Sequence, residues 1–229
     1  MIAGTTRLVA LLGHPVSHSL SPRMQNAAFA ALALDFAYVA FDVPPERLAD
    51  AVRGLAALGF AGANVTAPHK LAVAKLVETD EPSVNTLLFG DRRIEGRSTD
   101  AAILAGLPAE RPAIVGGGGS GIAFAQALPH ARRFERQGDW PPDVDGADLV
   151  VNATPVTDEV LVRICPEQVL VDLPYPGSAT AAAARDAGAT VYDGLDVLVA
   201  QGAASFELWT GLPAPVEVMR AAIRPRLEE

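Results

Sequence analysis

AIVGGGGSGIAFAQAL, Ala113 to Leu128, is the stretch on which the fold turns. Three apolar residues run into a glycine turn, and an apolar, alanine-rich run follows until Pro129. A short buried strand, a tight turn and a helix cut off by proline are the natural reading. Gly116, Gly118 and Gly121 fit the spacing G-x-G-x-x-G. In that setting the backbone turns sharply and approaches a pyrophosphate, which free N–H groups at the helix start would hold. A glycine turn without a ligand has the same spelling, so the surroundings must decide.

Downstream, Asp148–Asn152, Val169–Leu173 and Thr190–Tyr192 read as strands, and Thr180–Ala187 reads as a helix ended by Gly188. QGDWPPDVDG, Gln137 to Gly146, is too rich in Pro, Gly and Asp for anything but a loop. Only 35 residues, 117 to 151, lie between Gly116 and Asn152. A helix, a strand, a second helix and a second strand before the next core strand would take about 60 residues. One helix and one strand are therefore expected to be missing, and with them part of the wall of an adenosine pocket. Arg132, Arg133, Glu135 and Arg136 fall where the second strand ends. Glu135 could accept from a ribose hydroxyl, the arginines could hold a 2′-phosphate, or the group is a solvated strand end.

Upstream, Leu8–Leu12, Phe36–Val43 and Ala63–Thr66 read as strands. Helices are expected over Pro22–Leu34, Glu46–Leu58 and His69–Val77, with Ser21 as a cap before Pro22. Leu87–Phe89 and Arg93–Glu95 form a hairpin around Gly90-Asp91. Parallel strands with an antiparallel edge follow from this order. Ala101–Leu107 reads as a linking helix, and Val197–Thr210 and Val216–Ile223 as closing helices. The fold class is α/β in two domains: 1–100, with helices from 206–229 packing back, and a truncated Rossmann-like 101–205.

The 229 residues suffice for two modest cores. Half are apolar, a fifth are charged, and the net charge is −9, which argues against a nucleic-acid partner. Nothing approaches the ~20 apolar residues of a membrane span, and the N-terminus reads as a strand rather than a signal peptide. The single Cys165 forbids an internal disulfide and suits a cytoplasmic location; it reads as a small buried apolar residue. His14, His18, His69 and His130 make no metal set, so no metal is expected.

NVTAPHK, Asn64 to Lys70, sets a lysine just past a polar strand end, and STDA, Ser98 to Ala101, brings Asp100. A lysine and an aspartate meeting at a cleft can move a proton on or off a sugar-like hydroxyl. Taken singly, Lys70 could be a solvated surface group and Asp100 a helix cap. Ser19 and Ser21, two apart in SHSLSP, would point two hydroxyls to one side if extended, as a carboxylate requires; Ser21 could equally be only a cap.

Together these residues resemble the shikimate dehydrogenase family, which includes the quinate/shikimate dehydrogenases, nearly end to end. GHPVSHSLSP resembles its substrate-carboxylate segment, which implies that role for Ser19 and Ser21. NVTAPHK resembles N-V-T-x-P-x-K, implying Lys70 as catalytic lysine and Thr66 as substrate ligand. SVNTL implies Asn85 as a ligand of a substrate hydroxyl, STDA implies Asp100 as partner of the lysine, and DLPY implies Tyr175 near the carboxylate. GLDVLVAQGAASFELWTG resembles the family's C-terminal segment and gives Gln201 as a further ligand. NATP, with Asn152 and Thr154, resembles the turn beside the nicotinamide. The cofactor set implied is Gly116, Gly118, Gly119, Gly121, Arg136, Asn152, Thr154 and Gly194. Two departures stand out: Ile122 where a basic residue is usual after the glycine turn, and ERQ, Glu135 to Gln137, in place of N-R-T.

The resemblance implies a substrate-binding catalytic domain followed by an NAD(P)-binding domain, and reversible NADP(H)-dependent reduction of 3-dehydroshikimate to shikimate in aromatic amino acid biosynthesis. NAD is a possible cofactor, no metal is needed, and the chain is expected to be a monomer or homodimer. A quinate or related cyclitol-acid dehydrogenase is one alternative. A non-catalytic shikimate-binding protein with a degraded cofactor site is another.

Overall fold

The computed structural model describes residues 2–91, 93–138 and 140–224. Asp139, inside the expected loop, and the tail 225–229 of the expected first domain lie outside the described residues. The chain divides into two compact units, Met1–Thr99 with Val199–Glu229, and Asp100–Leu198.

The first unit opens with β1 (Arg7–Gly13), α1 (Ser21–Ala31) and β2 (Phe36–Asp42). α2 (Leu48–Ala57), β3 (Gly62–Val65) and the single-turn α3 (Lys70–Val73) follow, then β4 (Thr86–Phe89) and β5 (Ile94–Arg97). The sheet order is β2-β1-β3-β4-β5. β1 pairs in parallel with β2 and β3, and β3-β4 and β4-β5 are antiparallel. β1, an inner strand of the sheet, is nearly all apolar because helical crossovers bury both its faces, while the edge strand β2 leaves Val39 and Phe41 exposed. One face carries Leu12, Val65 and Leu87 against Val52 and Leu55 of α2.

α3 is shorter than the expected His69–Val77, and the chain leaves it through i→i+3 bonds from Lys75 to Ala72 and from Leu76 to Val73. α1 also starts differently. Leu20 is its N-cap and Ser21 its first helical residue; the Ser19 hydroxyl accepts from the Ser21 N–H at 3.3 Å. Its C-terminus closes on Ala33, in the left-handed region at φ 52°, with Leu34 N–H donating back to Phe29 at 2.9 Å.

In the second unit a 3-10 turn, Asp100–Leu104, stands where a linking helix was expected. β6 (Pro112–Val115), α4 (Gly119–Ala127), β7 (Arg132–Phe134), β8 (Leu149–Asn152), β9 (Val169–Asp172), α5 (Ala179–Asp186) and β10 (Thr190–Tyr192) complete it. All strands are parallel, in the order β10-β9-β8-β6-β7. A doubly wound sheet ordered 3-2-1-4-5-6, with its third strand removed, has this order. Among the described residues no helix joins β7 to β8 or β8 to β9. α4, the 3-10 turn and Val197 cover one face. The other is covered by α5 together with loop residues Val144, Ala147, Val162 and Ile164. Apolar loop side chains thus do what the missing helix would do. Cys165, in the same loop region, is exposed, contrary to expectation, because it follows the inward-facing Ile164 in a turn closed by Gln168.

α6 (Gly194–Thr210) contains the division between the units, and α7 (Val216–Ile223) packs on α1. Within the first unit Phe29 of α1 stacks on Phe206 of α6 with ring centroids 5.4 Å apart. Both rings are buried, each contributing about 2 kcal/mol by area. Trp209 lies over Gly62, where a side chain would run into the indole, and donates to the Leu87 carbonyl at 3.1 Å.

Candidate active site

In the first unit a buried polar cluster occupies the ends of β3 and β4, where apolar strand residues give way to Asn64, Asn85 and Thr86. The Tyr38 hydroxyl donates to Asn64 Oδ1 at 2.8 Å. Burial pushes this phenol well up, opposed by a hydrogen bond from the Ser21 hydroxyl, so it stays a donor. Asn64 Nδ2 donates to the Asn85 carbonyl (3.0 Å), Thr86 Oγ1 (3.2 Å) and Ser205 Oγ (3.0 Å). The Ser205 hydroxyl turns back to the Gln201 carbonyl at 2.9 Å, which fixes the turn of α6 that carries Gln201.

Asn85 is the hub. Its Oδ1 accepts from the Thr99 N–H at 2.8 Å, and its Nδ2 donates to Thr99 Oγ1 at 2.9 Å and Gln201 Oε1 at 3.4 Å. Buried polar groups on this scale are tolerated only when mutually satisfied, and then they lock one geometry. Lys70 is joined to the hub through its backbone: its carbonyl accepts the Val84 N–H at 3.1 Å, one residue before Asn85. Asp100, buried, is the residue after Thr99. Within the first unit, hydrogen bonds thus gather the Lys70 backbone, Asn85, Thr99 and Gln201, and Asp100 opens the second unit.

The remaining expected substrate residues are distributed as follows. Thr66, half-buried, closes β3 with its N–H on Leu12, and Ser19 and Ser21 stand at the start of α1. Tyr175, half-buried, belongs to the second unit, just after β9. Tyr38, Thr86, Thr99 and Ser205 were not singled out from sequence, although for Tyr38, Thr86 and Ser205 a polar group on the largely apolar elements β2, β4 and α6 was the available signal. Asn26 is structural: its amide takes the Tyr38 N–H (2.9 Å) and donates to the Tyr38 carbonyl (2.9 Å), pinning α1 to β2.

In the second unit the glycine turn has the geometry a dinucleotide needs. Gly116 has φ 115°, a left-handed value that favours glycine, and a side chain on it would meet the Ala153 carbonyl at 3.0 Å. A side chain on Gly121 would run into the Gly116 carbonyl oxygen, so α4 packs closely only because none is there. Gly118, the N-cap of α4, faces open space, and Gly119 begins the helix. Those are the three glycine roles of a pyrophosphate-binding turn, so the residues present fit such a cofactor.

Asn152 and Gly194 each shape the backbone around them. Asn152 is fully buried; its Oδ1 accepts the Thr154 N–H (3.2 Å) and hydroxyl (2.8 Å), and its Nδ2 donates to Asp172 at 2.7 Å. It shapes the turn that presents half-buried Thr154. Burial raises the Asp172 carboxyl, against hydrogen bonds from Ser178 and Asn152 that lower it. A side chain on Gly194 would meet the Leu173 and Pro174 carbonyls at 2.5 Å, so this glycine lets α6 begin against the loop after β9. Arg136 donates to Glu159 at 3.0 Å on the surface. Among the described residues no group of three or more His, Cys, Asp or Glu could hold a metal ion, and no helix is long and apolar enough to cross a membrane. His14 pairs with Asp42 (2.5 Å), His69 with the Val43 carbonyl (2.8 Å), and His130 with the Ala109 carbonyl (2.9 Å).

Residues 11–87 match the family model of the shikimate dehydrogenase substrate binding domain, and residues 194–224 match that of the shikimate 5′-dehydrogenase C-terminal domain. A shikimate dehydrogenase (NADP+) of an Anaeromyxobacter species is 41% identical, covering 97% of this chain and 98% of the relative. The chain belongs to the shikimate dehydrogenase family. That alignment runs over 272 positions against 229 residues here, so the relative carries segments that this family member lacks. The Thermus thermophilus shikimate 5-dehydrogenase, solved with NADP(H) and shikimate, superimposes with a TM-score of 0.84 at 32% identity, over 95% of this chain and 98% of that one. The Listeria monocytogenes shikimate 5-dehydrogenase, solved with shikimate and NAD, also gives 0.84, at 26% identity over 97% and 98%.

Proposed function

We propose that this chain catalyses the reversible reduction of 3-dehydroshikimate to shikimate in aromatic amino acid biosynthesis, with NADP(H), the cofactor for which its curated relative is named. When bound, the reduced nicotinamide supplies a hydride to the ring ketone. Lys70, as the ammonium, donates a proton to the ketone oxygen as negative charge builds there. In the reverse direction neutral Lys70 takes the hydroxyl proton, and Asp100 holds the lysine in position. Such acid–base help is worth about 10²–10⁴-fold.

Ser19, Ser21 and Tyr175 take the substrate carboxylate, and Thr66, Asn85 and Gln201 take its hydroxyls, so that positioning supplies further acceleration. Gly116, Gly118, Gly119 and Gly121 cradle the pyrophosphate, with Thr154 beside the nicotinamide. The residues 1–99 with 199–229 form the substrate unit, and 100–198 form the dinucleotide unit.

The observation that carries this reading is the tie of the Lys70 backbone and of Thr99, the residue before Asp100, to the buried hub Asn85. The test is turnover of shikimate and of quinate with NADP and NAD in parallel, followed at the absorbance of the reduced nicotinamide. Faster turnover of shikimate than of quinate is expected. Shikimate binding without any dinucleotide reduction would make the chain a binding protein instead.

A further inference from the structure

We infer that Glu135 reads the 2′ position of the adenosine ribose and tilts the cofactor choice, so that this chain holds NAD at least as tightly as NADP. The inference rests on the dehydrogenase reading and refines its cofactor.

β6 and β7 run in parallel with Val115 beside Phe134, and the Gly116 N–H donates to the Phe134 carbonyl at 2.9 Å. Glu135, the next residue, is therefore level with the glycine turn. Its carboxylate lies across the backbone there: a side chain on Gly117 would come within 2.6 Å of the carboxyl carbon and 2.7 Å of Oε2. In a doubly wound sheet the end of the second strand is where the ribose bound at this turn is read. An acid there accepts from a 2′-hydroxyl, and an arginine there holds a 2′-phosphate.

A carboxylate at that point gains a hydrogen bond from NAD and faces like charge from NADP. The neighbouring arginines do not reverse the balance. Arg133 donates to Glu135 Oε1 itself at 3.0 Å. Arg136 donates to Glu159 at 3.0 Å and lies 5.6 Å over the Trp140 ring. Arg132 donates to the Asp145 carbonyl at 2.7 Å. A 2′-phosphate would have to draw Arg133 or Arg136 away from an acid and still lie beside Glu135. These pairs are exposed and individually weak, so the effect is a preference and not an exclusion.

The test is calorimetric titration of the full chain with NAD, NADP, ADP and 2′-phospho-ADP; the last two lack the nicotinamide and report on the adenosine end alone. The wild-type chain should bind NAD at least as tightly as NADP, and ADP at least as tightly as 2′-phospho-ADP. Glu135→Gln, a same-sized change at an exposed position, should shift both ratios toward the 2′-phosphate by about tenfold, the order expected on relieving one like-charge contact. NADP bound tighter than NAD by the wild type, or ratios unchanged in the variant, would overturn the inference and leave the dehydrogenase reading standing. No binding of either dinucleotide would overturn both.

Discussion

The two five-stranded sheets carry their functional groups in opposite ways. At the end of the sheet in residues 1–99 the groups are side chains: Asn64, Asn85, Thr86 and Thr99, joined by Tyr38 and Ser205 in one buried network. At the glycine turn of residues 100–198 they are mostly backbone: N–H groups, a positive φ at Gly116 and an absent side chain at Gly121. The first kind of site needs every supporting element, since one missing partner strands several buried polar groups. The second needs only a strand, a turn and a helix start. That is a physical reason why a family member can lose a strand and its helix from the second sheet while the first remains a complete β-α-β-α-β frame.

The sharpest way to break this contrast is at the lysine. Lys70→Ala should lower turnover by about 10²–10⁴-fold while shikimate binding, measured by calorimetry, changes little. Near-normal turnover would remove the proposed chemistry from the first unit. Next, Asn64→Ala removes the acceptor of Tyr38 and three donor contacts at once. Denaturant unfolding should show a loss of about 2–3 kcal/mol, together with a raised KM for shikimate. A loss of stability without any change in KM would mean that the network is scaffold only.

Ile164→Ala probes the loop-covered face of the second sheet. Its cost should be about 2 kcal/mol, the low end for such a truncation, because a loop can settle into the space more easily than a helix. A much larger loss would show the loops to be packed as firmly as helices.

A smaller effect belongs to Asp148. Partial burial disfavours its charge, but N–H groups of Arg111 (3.0 Å) and Glu110 (2.8 Å) outweigh this and hold the carboxyl below its ordinary value of 3.8. For a depressed carboxyl the stabilisation is present above 3.8 and is lost as pH falls through the lower folded value. Asp148→Asn should therefore be less stable than wild type at neutral pH, with the gap closing in strong acid. A gap that persists there would assign the effect to packing. Smallest of all, Ala33→Gly should raise stability by about 0.5–1 kcal/mol by relieving the left-handed φ of 52° at the end of α1. Thermal unfolding would register it.

Much of this was readable from the amino-acid order. The strand, turn and helix around Gly116–Gly121 follow from apolar residues, glycines and Pro129 alone. The missing elements after β7 follow from counting residues to Asn152. What escaped is non-local. Ser205 and Asn64 are 141 residues apart and meet only when α6 lies over β3 and β4. Ser21 looked like a cap because Pro22 follows it, but helical geometry extends one residue earlier and leaves Leu20 in that position. Cys165 looked buried by its chemistry, whereas the turn that sends Ile164 inward sends its neighbour out.

The loop side chains that roof one face of the second sheet give the stretch between β7 and β8 an unusual weight. In most enzymes a protease that nicks a surface connection leaves the fold standing. A cut near Val144 here would lift the cover from Val115 and Val150, so limited digestion should trigger cooperative collapse of that half instead of yielding a trimmed, stable product.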